Sequence, residues 1–222
     1  MIGFFDYTVI LTYLSLLSAG MGILVSLHGD GHPYWGIAFL LFSGLCDAFD
    51  GKVARVKKDR TETQMKYGIQ IDSLSDLVAF GVLPVCIGMA MLRRSTLLTE
   101  HTVIAWMLAG VMLLYLLAAM IRLAYFNVTE EERQKKEKGV RRVYIGLPVT
   151  SAALIFPTVL LFQFILKNMD ITPVYFGVAL LCGFLFLSKI RIGKPSLKGV
   201  LIMVALGAAE FLIMTLLHFL NR

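Results

Sequence analysis

Two stretches near the middle of the chain decide the fold: GLCDAFDGKVAR at 44–55 and GIQIDSLSD at 68–76. The first closes one long apolar segment and the second opens the next, so acidic residues lie at the facing ends of two neighbouring segments. A membrane-spanning helix needs about 20 mostly apolar residues, and both segments have that length. The two stretches therefore predict adjacent spanning helices joined by a loop of twelve residues.

The same criterion predicts further spans on either side. The chain has 222 residues, of which 58% are hydrophobic and 16% charged, with a mean hydropathy of +0.77. This composition is typical of a polytopic membrane protein. We predict an all-α transmembrane helical bundle of about seven spans (roughly six to eight) in one domain covering 1–222, with no cleavable signal peptide. The predicted spans are 7–27, 34–55, 68–91, 102–127, 146–167, 173–188 (a short segment) and 198–219, the last two being peripheral.

Basic residues are distributed unevenly among the predicted loops. Sixteen of the 21 lysines and arginines lie near the loops that follow the second, fourth and sixth spans. The positive-inside rule places these loops and the N-terminus in the cytoplasm of a multi-pass cell-membrane protein. The net charge of +6 then reflects topology and attraction to anionic lipid, and we expect no nucleic-acid partner.

Four aspartates occur where acids are unexpected. Asp47 and Asp50 are spaced i,i+3 at the end of the second span, and Asp72 and Asp76 are spaced i,i+4 at the start of the third. Each pair therefore shares one helix face, and both pairs should lie at one depth near the cytoplasmic face. Clustered carboxylates suit hard divalent cations such as Mg²⁺, Mn²⁺ or Ca²⁺ rather than zinc. The pattern predicts a metal site that can hold a diphosphate.

Two alternatives to this metal site stay open at this point. A single acid near a helix end is usually a solvated interfacial charge, which explains one aspartate better than four. Paired intramembrane aspartates also occur in ion and proton transporters. The three cysteines lie inside apolar segments without metal-like spacing, so we assign them no ligand role.

Small and basic residues surround the aspartates. Gly51, Ala54 and Arg55 follow Asp50, and Gly68 lies four residues before Asp72. Glycine and alanine leave room for a ring or a phosphate near the backbone, and an arginine can pair with the phosphate. The helix terminus and tight helix packing explain the same residues equally simply.

Taken together, Asp47-x2-Asp50-Gly51-x2-Ala54-Arg55 and Gly68-x3-Asp72-x3-Asp76 resemble the signature of the CDP-alcohol phosphatidyltransferase family. Every specified position of that signature is filled. The sequence departs from it in one respect: twelve residues separate Arg55 from Gly68, a longer interval than is usual in the family. We expect these residues to lengthen the cytoplasmic turn and to alter the rim of the nucleotide pocket.

The resemblance implies roles for the aspartates and their neighbours. Asp47, Asp50 and Asp72 would hold a divalent metal, Mg²⁺ or Mn²⁺, as two ions. Asp76 would complete the second metal site and act as general base. The cytidine nucleotide pocket would be lined by Gly51, Ala54, Arg55 and Gly68. The substrate would be CDP-diacylglycerol; the resemblance is also compatible with a homodimer, which no residue pattern specifies.

The acceptor alcohol is predicted from softer motifs. DSLSDLVAFGVLP (72–84), RLAYFN (122–127) and GLP (146–148) resemble the branch of the family that uses L-serine. Arg122 and Asn127 lie at a suitable depth to bind serine, although snorkelling to the headgroups explains Arg122 equally well. Glycerol 3-phosphate or an inositol compound are the alternative acceptors.

Overall fold

A computed structural model describes residues 3, 7–57, 59–136, 143–165, 169–193 and 197–220. Most of these residues are helical, and the helices follow the apolar segments of the sequence. The α-helices are α1 (Ile10–Leu27), α2 (Pro33–Val56), α3 (Glu62–Asp76), α4 (Leu83–Arg94), α5 (Leu97–Glu100), α6 (Thr102–Lys136), α7 (Ala152–Ile165), α8 (Thr172–Leu187) and α9 (Leu197–Leu220). The other elements are a π-helical turn (Leu77–Val82), a 3₁₀ turn (Val149–Ser151) and two strands, β1 (Val143–Ile145) and β2 (Arg191–Gly193).

Four helical stretches are long and apolar enough to cross a membrane, as expected of a helical membrane protein. They are Ile10–Leu27, Glu62–Arg94, Thr102–Arg133 and Lys198–Leu217. The other predicted spans also correspond to helices, but α7 and α8 have only 14 and 16 residues. Since α2 carries charged residues along its last turns, its length of 24 residues alone does not identify it as a span. The total of about seven crossings stays a prediction.

The third predicted span is longer than expected because α3, the π turn and α4 form one continuous helical stretch. Inside it, Pro84 has no N–H, so the carbonyl of Phe80, four residues earlier, lacks its usual helical donor. The hydroxyl of Tyr115 on α6 donates to this carbonyl at 2.5 Å. The Tyr175 hydroxyl on α8 donates to the Pro84 carbonyl at 2.8 Å. Two tyrosines from other helices thus stabilise the irregular turn that follows Asp76.

The centre of the bundle is aromatic. The rings of Tyr115 and Phe156 meet edge to face with centroids 5.6 Å apart, and those of Phe156 and Tyr175 are 4.7 Å apart. Such arrangements contribute beyond simple burial. The cluster packs α6 against α7 and α8 and gives the π turn a rigid support.

The charged segment 129–142 begins as helix. Ion pairs join Glu130 to Arg133 at 2.6 Å and Glu131 to Lys135 at 3.0 Å along α6. These i,i+3 and i,i+4 pairs favour helix, so α6 continues past the predicted end at residue 127. Residues 137–142 lie outside the described part of the chain.

A small antiparallel sheet corrects the purely α prediction. Val143 pairs with Gly193 and Ile145 with Arg191, which joins the segment before α7 to the segment before α9. Strands of three residues show no usable alternation in sequence, so the pattern could not reveal them. Gly146 follows with φ of +78°, where a Cβ would lie 2.7 Å from the Phe186 carbonyl oxygen. Only glycine fits this close approach.

The long interval between Arg55 and Gly68 is mostly helical. Thr61 accepts a hydrogen bond from the Gln64 backbone N–H at 3.2 Å, and the Gln64 side chain accepts one from the Thr61 N–H at 3.0 Å. This capping box begins α3 at Glu62. Helix α3 therefore begins six residues before Gly68, and the expectation of a longer turn than is usual in the family stays a prediction.

Candidate metal and substrate site

Three of the four aspartates converge between α2 and α3. Each of Asp47, Asp50 and Asp72 offers a carboxylate oxygen, and these oxygens lie within 4.8 Å of one another. Asp50 is buried, and the other two are partly buried. Carboxylates at this separation can coordinate one cation together.

The aspartates pair across the two helices rather than along each helix. The carboxyl group of Asp47 lies within hydrogen-bonding reach of that of Asp76, and the carboxyl group of Asp50 lies within reach of that of Asp72. This crossed pattern follows from antiparallel helices, because the later residue on α2 then faces the earlier residue on α3. Asp76 is 9% exposed and lies outside the group of three, one helical turn beyond Asp72. The i,i+3 and i,i+4 spacings thus predicted the correct faces, and the packing selected the partners.

Helix α1 supports the site with hydroxyl groups that the sequence analysis did not single out. Thr12 Oγ1 donates to Asp50 Oδ2 at 3.2 Å, and Ser75 Oγ donates to the Thr12 carbonyl at 3.2 Å. Further along, Ser15 and Ser43 each donate to the other's carbonyl, at 3.4 and 3.0 Å. A stripe of small residues along one face of α1 was the available signal, because such stripes mark close helix contacts in membranes. Its members are Thr12, Ser15, Ser18, Ala19, Gly22 and Ser26.

The chemistry of this cluster fits a hard divalent cation. Asp72 Oδ1 is buried and has no hydrogen-bond partner among the residues that the structure describes. A buried carboxylate oxygen without a donor is unfavourable unless a cation or a ligand completes it. The group of three supplies oxygen only, which suits Mg²⁺ or Mn²⁺ and does not suit zinc. Asp47, Asp50 and Asp72 are therefore the residues that would hold the metal.

The predicted nucleotide residues lie next to this cluster. Gly51 and Ala54 follow Asp50 on α2 and are partly buried. Arg55 belongs to the last turn of α2, but its side chain lies outside the described part of the structure. Gly68 lies one turn before Asp72 on α3, and a Cβ there would lie 2.6 Å from Nη2 of Arg60. Arg60 was not among the predicted site residues.

The two predicted acceptor residues are placed differently. Asn127 Nδ2 donates to Ser73 Oγ at 2.7 Å, which connects α6 to the residue beside Asp72. Arg122 is buried, and its guanidinium lies 5.6 Å from the centroid of the Phe126 ring. Its Nε lies 3.3 Å from where a Cβ on Gly146 would be. Asn127 thus adjoins the aspartates, whereas Arg122 packs beside the turn that follows β1.

Comparisons with known proteins identify the family of the chain. Residues 7–186 match the model of the CDP-alcohol phosphatidyltransferase family. The chain is 30% identical over 188 residues to the CDP-diacylglycerol–serine O-phosphatidyltransferase of Helicobacter pylori, covering 81% of this chain and 69% of that protein. It is 34% identical over 135 residues to the enzyme of the same name from Saccharomyces cerevisiae, covering 59% of this chain and 43% of that protein.

One relative carries a different name. A Mycobacterium bovis protein named "Putative cardiolipin synthase" is 27% identical over 179 residues, covering 78% of this chain and 69% of that protein. No solved structure matches the chain. Since the family model covers most of the chain, and the aspartates of its signature converge as such chemistry requires, the chain belongs to the CDP-alcohol phosphatidyltransferase family of phosphotransferase enzymes.

Proposed function

We propose that this chain transfers the phosphatidyl group of CDP-diacylglycerol to the hydroxyl of L-serine, giving phosphatidylserine and CMP. The observation that carries the proposal is the convergence of Asp47, Asp50 and Asp72, with a buried Asp72 oxygen that has no donor among the described residues. Family membership supplies the reaction class and accords with an enzyme rather than with the transporter alternative. Serine is supported by the names of the Helicobacter and yeast relatives.

The four aspartates would have two different roles, metal binding and general base catalysis. Asp47, Asp50 and Asp72 would hold the divalent metal, as two ions with Asp76 completing the second site. When bound, the metal supplies positive charge against the diphosphate oxygens. Asp76, the deeper member of the α3 pair, is the general base. Its carboxylate accepts the proton of the serine hydroxyl as that oxygen attacks the phosphorus of the phosphatidyl group. The bond from this phosphorus to the CMP oxygen breaks, and CMP leaves with the electron pair.

The remaining site residues would bind the two substrates. Gly51, Ala54, Arg55 and Gly68 would line the nucleotide pocket. Asn127 is the stronger acceptor candidate, because it adjoins Ser73 next to the metal ligands. Arg122 is a cation suited to the serine carboxylate, and its buried position beside Phe126 keeps it preorganised. We further propose that the chain forms one membrane domain with this site at the cytoplasmic face of the cell membrane.

Another acceptor alcohol is the second candidate, since the Mycobacterium bovis relative carries the name of a different transferase. The test is CMP release from CDP-diacylglycerol by the purified protein with Mg²⁺ or Mn²⁺. L-Serine, glycerol 3-phosphate, inositol phosphate and phosphatidylglycerol are offered separately, each with and without EDTA. We expect turnover with serine that EDTA abolishes. Turnover with a different acceptor alone would contradict serine while retaining the metal site, and no turnover with any acceptor would contradict both.

A further inference from the structure

The segment between α2 and α3 places one cation beside the aspartate cluster. Arg60 precedes the capping box of α3, and its side chain folds back along that helix. Its Nη2 donates to the Gln64 carbonyl at 3.2 Å. The same atom lies 2.6 Å from where a Cβ on Gly68 would be. The guanidinium therefore covers the surface that the missing side chain of Gly68 leaves open.

This surface leads directly to the metal ligands. Gln64, Gly68 and Asp72 follow one another at intervals of four residues, so they share one face of α3. Gly68 and Asp72 are about 6 Å apart along the helix axis. A cation above Gly68 thus lies about one helical turn from the carboxylates that would hold the diphosphate.

Arg60 retains hydrogen-bonding capacity at this position. Its Nε is buried and has no hydrogen-bond partner within the described ranges. An N–H in this state is unfavourable without an acceptor, and a nucleotide supplies acceptors in its phosphate and its base carbonyl. The planar guanidinium can also stack on a pyrimidine ring, which a lysine in the same place cannot do.

We propose that Arg60 is a nucleotide-binding residue of this enzyme, contacting the CMP portion of the CDP-linked lipid from the N-terminus of α3. The inference rests on the proposed transfer from a CDP-linked lipid. Arg60 lies in the interval between Arg55 and Gly68, which is longer than is usual in the family. Because Arg60 lies on the nucleotide side of Asp72 and offers no group that accepts or donates the transferred proton, we expect it to affect binding of the nucleotide rather than the chemical step.

The experiment compares Arg60→Ala, Arg60→Lys and the control Lys66→Ala in detergent-purified protein. Lys66 lies on the same helix end, exposed and paired with Glu62 at 2.7 Å. Binding of CMP in the presence of Mg²⁺ is measured by calorimetry, and KM for CDP-diacylglycerol and for the acceptor is measured by CMP release. For Arg60→Ala we expect the Kd of CMP and the KM for CDP-diacylglycerol to rise about tenfold or more, with kcat and the acceptor KM within about twofold. Arg60→Lys should recover part of the loss, and Lys66→Ala should match the wild type.

The outcomes separate this inference from the proposed function. Equal CMP binding by wild type and Arg60→Ala overturns the role of Arg60 and leaves the proposed function intact. A lower melting temperature of Arg60→Ala with unchanged Kd and KM also overturns it, because Arg60 would then only stabilise α3. Wild-type protein that binds no CMP overturns the proposed function itself. If only another acceptor is used, the same comparison is made with that acceptor, because the nucleotide is common to both reactions.

Discussion

Two aspartates at opposite ends of the bundle differ in how their oxygens are satisfied. Asp170, before α8, accepts hydrogen bonds from the Ser95 hydroxyl and from the Thr172 backbone N–H, the latter at 2.9 Å. Asp72 is partnered by another carboxylate, and its Oδ1 is buried without a donor among the described residues. Asp170 lines a cavity together with Tyr34, which lies near the start of α2. Asp47 lies on the same helix about 20 Å from Tyr34, so the two aspartates are at opposite ends of the bundle.

We expect this difference to separate a structural carboxylate from one that serves the proposed function. Asp170 joins the end of α4 to the start of α8, and each of its carboxylate oxygens accepts a hydrogen bond from a neutral donor. In the aspartate cluster the carboxyl groups face one another, and their mutual repulsion opposes folding. Such an arrangement is expected where a cation or substrate completes the site. The following predictions test this contrast, beginning with the largest expected effect.

Replacing Asp76 with Asn should remove the general base while keeping the shape of the side chain. We expect kcat for CMP release to fall by about 10²–10⁴, the usual contribution of a positioned base. Asp170→Asn is the control and should keep kcat within about twofold. The measurement is CMP release at saturating substrates. Turnover of Asp76→Asn near the wild-type value would remove Asp76 from this role.

Replacing Asp72 with Asn should weaken metal binding, and it should also reduce the electrostatic repulsion among the clustered carboxylates. We expect activity to fall at least about a hundredfold at fixed Mg²⁺, because an oxygen ligand is lost where charge must be stabilised. In EDTA, the melting temperature should be equal to or above that of the wild type. A clear fall in melting temperature with retained activity would show that Asp72 is structural, like Asp170.

Replacing Tyr115 with Phe tests whether the Tyr115 hydroxyl stabilises the π turn that follows Asp76. The variant leaves the buried Phe80 carbonyl without the donor that replaces the Pro84 N–H. We expect a loss of about 1–3 kcal/mol in the free energy of unfolding. The matched control is Tyr125→Phe on the same helix, whose side chain is 50% exposed and should tolerate the change. Thermal unfolding in detergent measures both variants, and equal stability of the two would contradict this role of the Tyr115 hydroxyl.

Replacing Asp170 with Ala should affect stability more than activity. The hydrogen bonds that it accepts from Ser95 and Thr172 are only partly buried, so we expect a loss of about 1 kcal/mol. Metal-dependent CMP release should stay within about twofold of the wild type. Asp30→Ala, an exposed acid at the same end, provides the control. A large loss of activity in Asp170→Ala alone would contradict the structural assignment.

The smallest expected effect is the pH dependence of the Asp170 contribution. Burial by itself raises the pKa of Asp170, but hydrogen bonds from Ser95 and Thr172 outweigh burial and lower the pKa below its ordinary value. A group with a lowered folded pKa stabilises the protein above its unfolded pKa of about 3.9, and this stability is lost as pH falls through the folded pKa. The difference in melting temperature between wild type and Asp170→Ala should therefore shrink as the pH is lowered below about 4. A difference that grows on acidification would contradict this sign.

The sequence alone determined the helical segments and the faces that carry the aspartates. Apolar length predicted where each helix lies, and the spacings of Asp47, Asp50, Asp72 and Asp76 predicted one shared depth. Both signals are local, because hydrophobic length and helical periodicity depend on residues close together in the chain. The family resemblance rests on the same local spacing. The structure contains the predicted helical segments and brings three of the four aspartates together, while their shared depth in the membrane stays a prediction.

Only the tertiary structure decided the contacts between distant segments. It paired Asp47 with Asp76 and Asp50 with Asp72, joined Thr12 to Asp50, and brought Tyr115 to the carbonyl that Pro84 leaves without a donor. It also formed the β1–β2 sheet and folded Arg60 over Gly68. Each of these contacts depends on helix packing and on the hydrogen-bonding needs of buried polar groups. Those needs are met by whichever residues the fold brings near, so spacing along the chain does not reveal them.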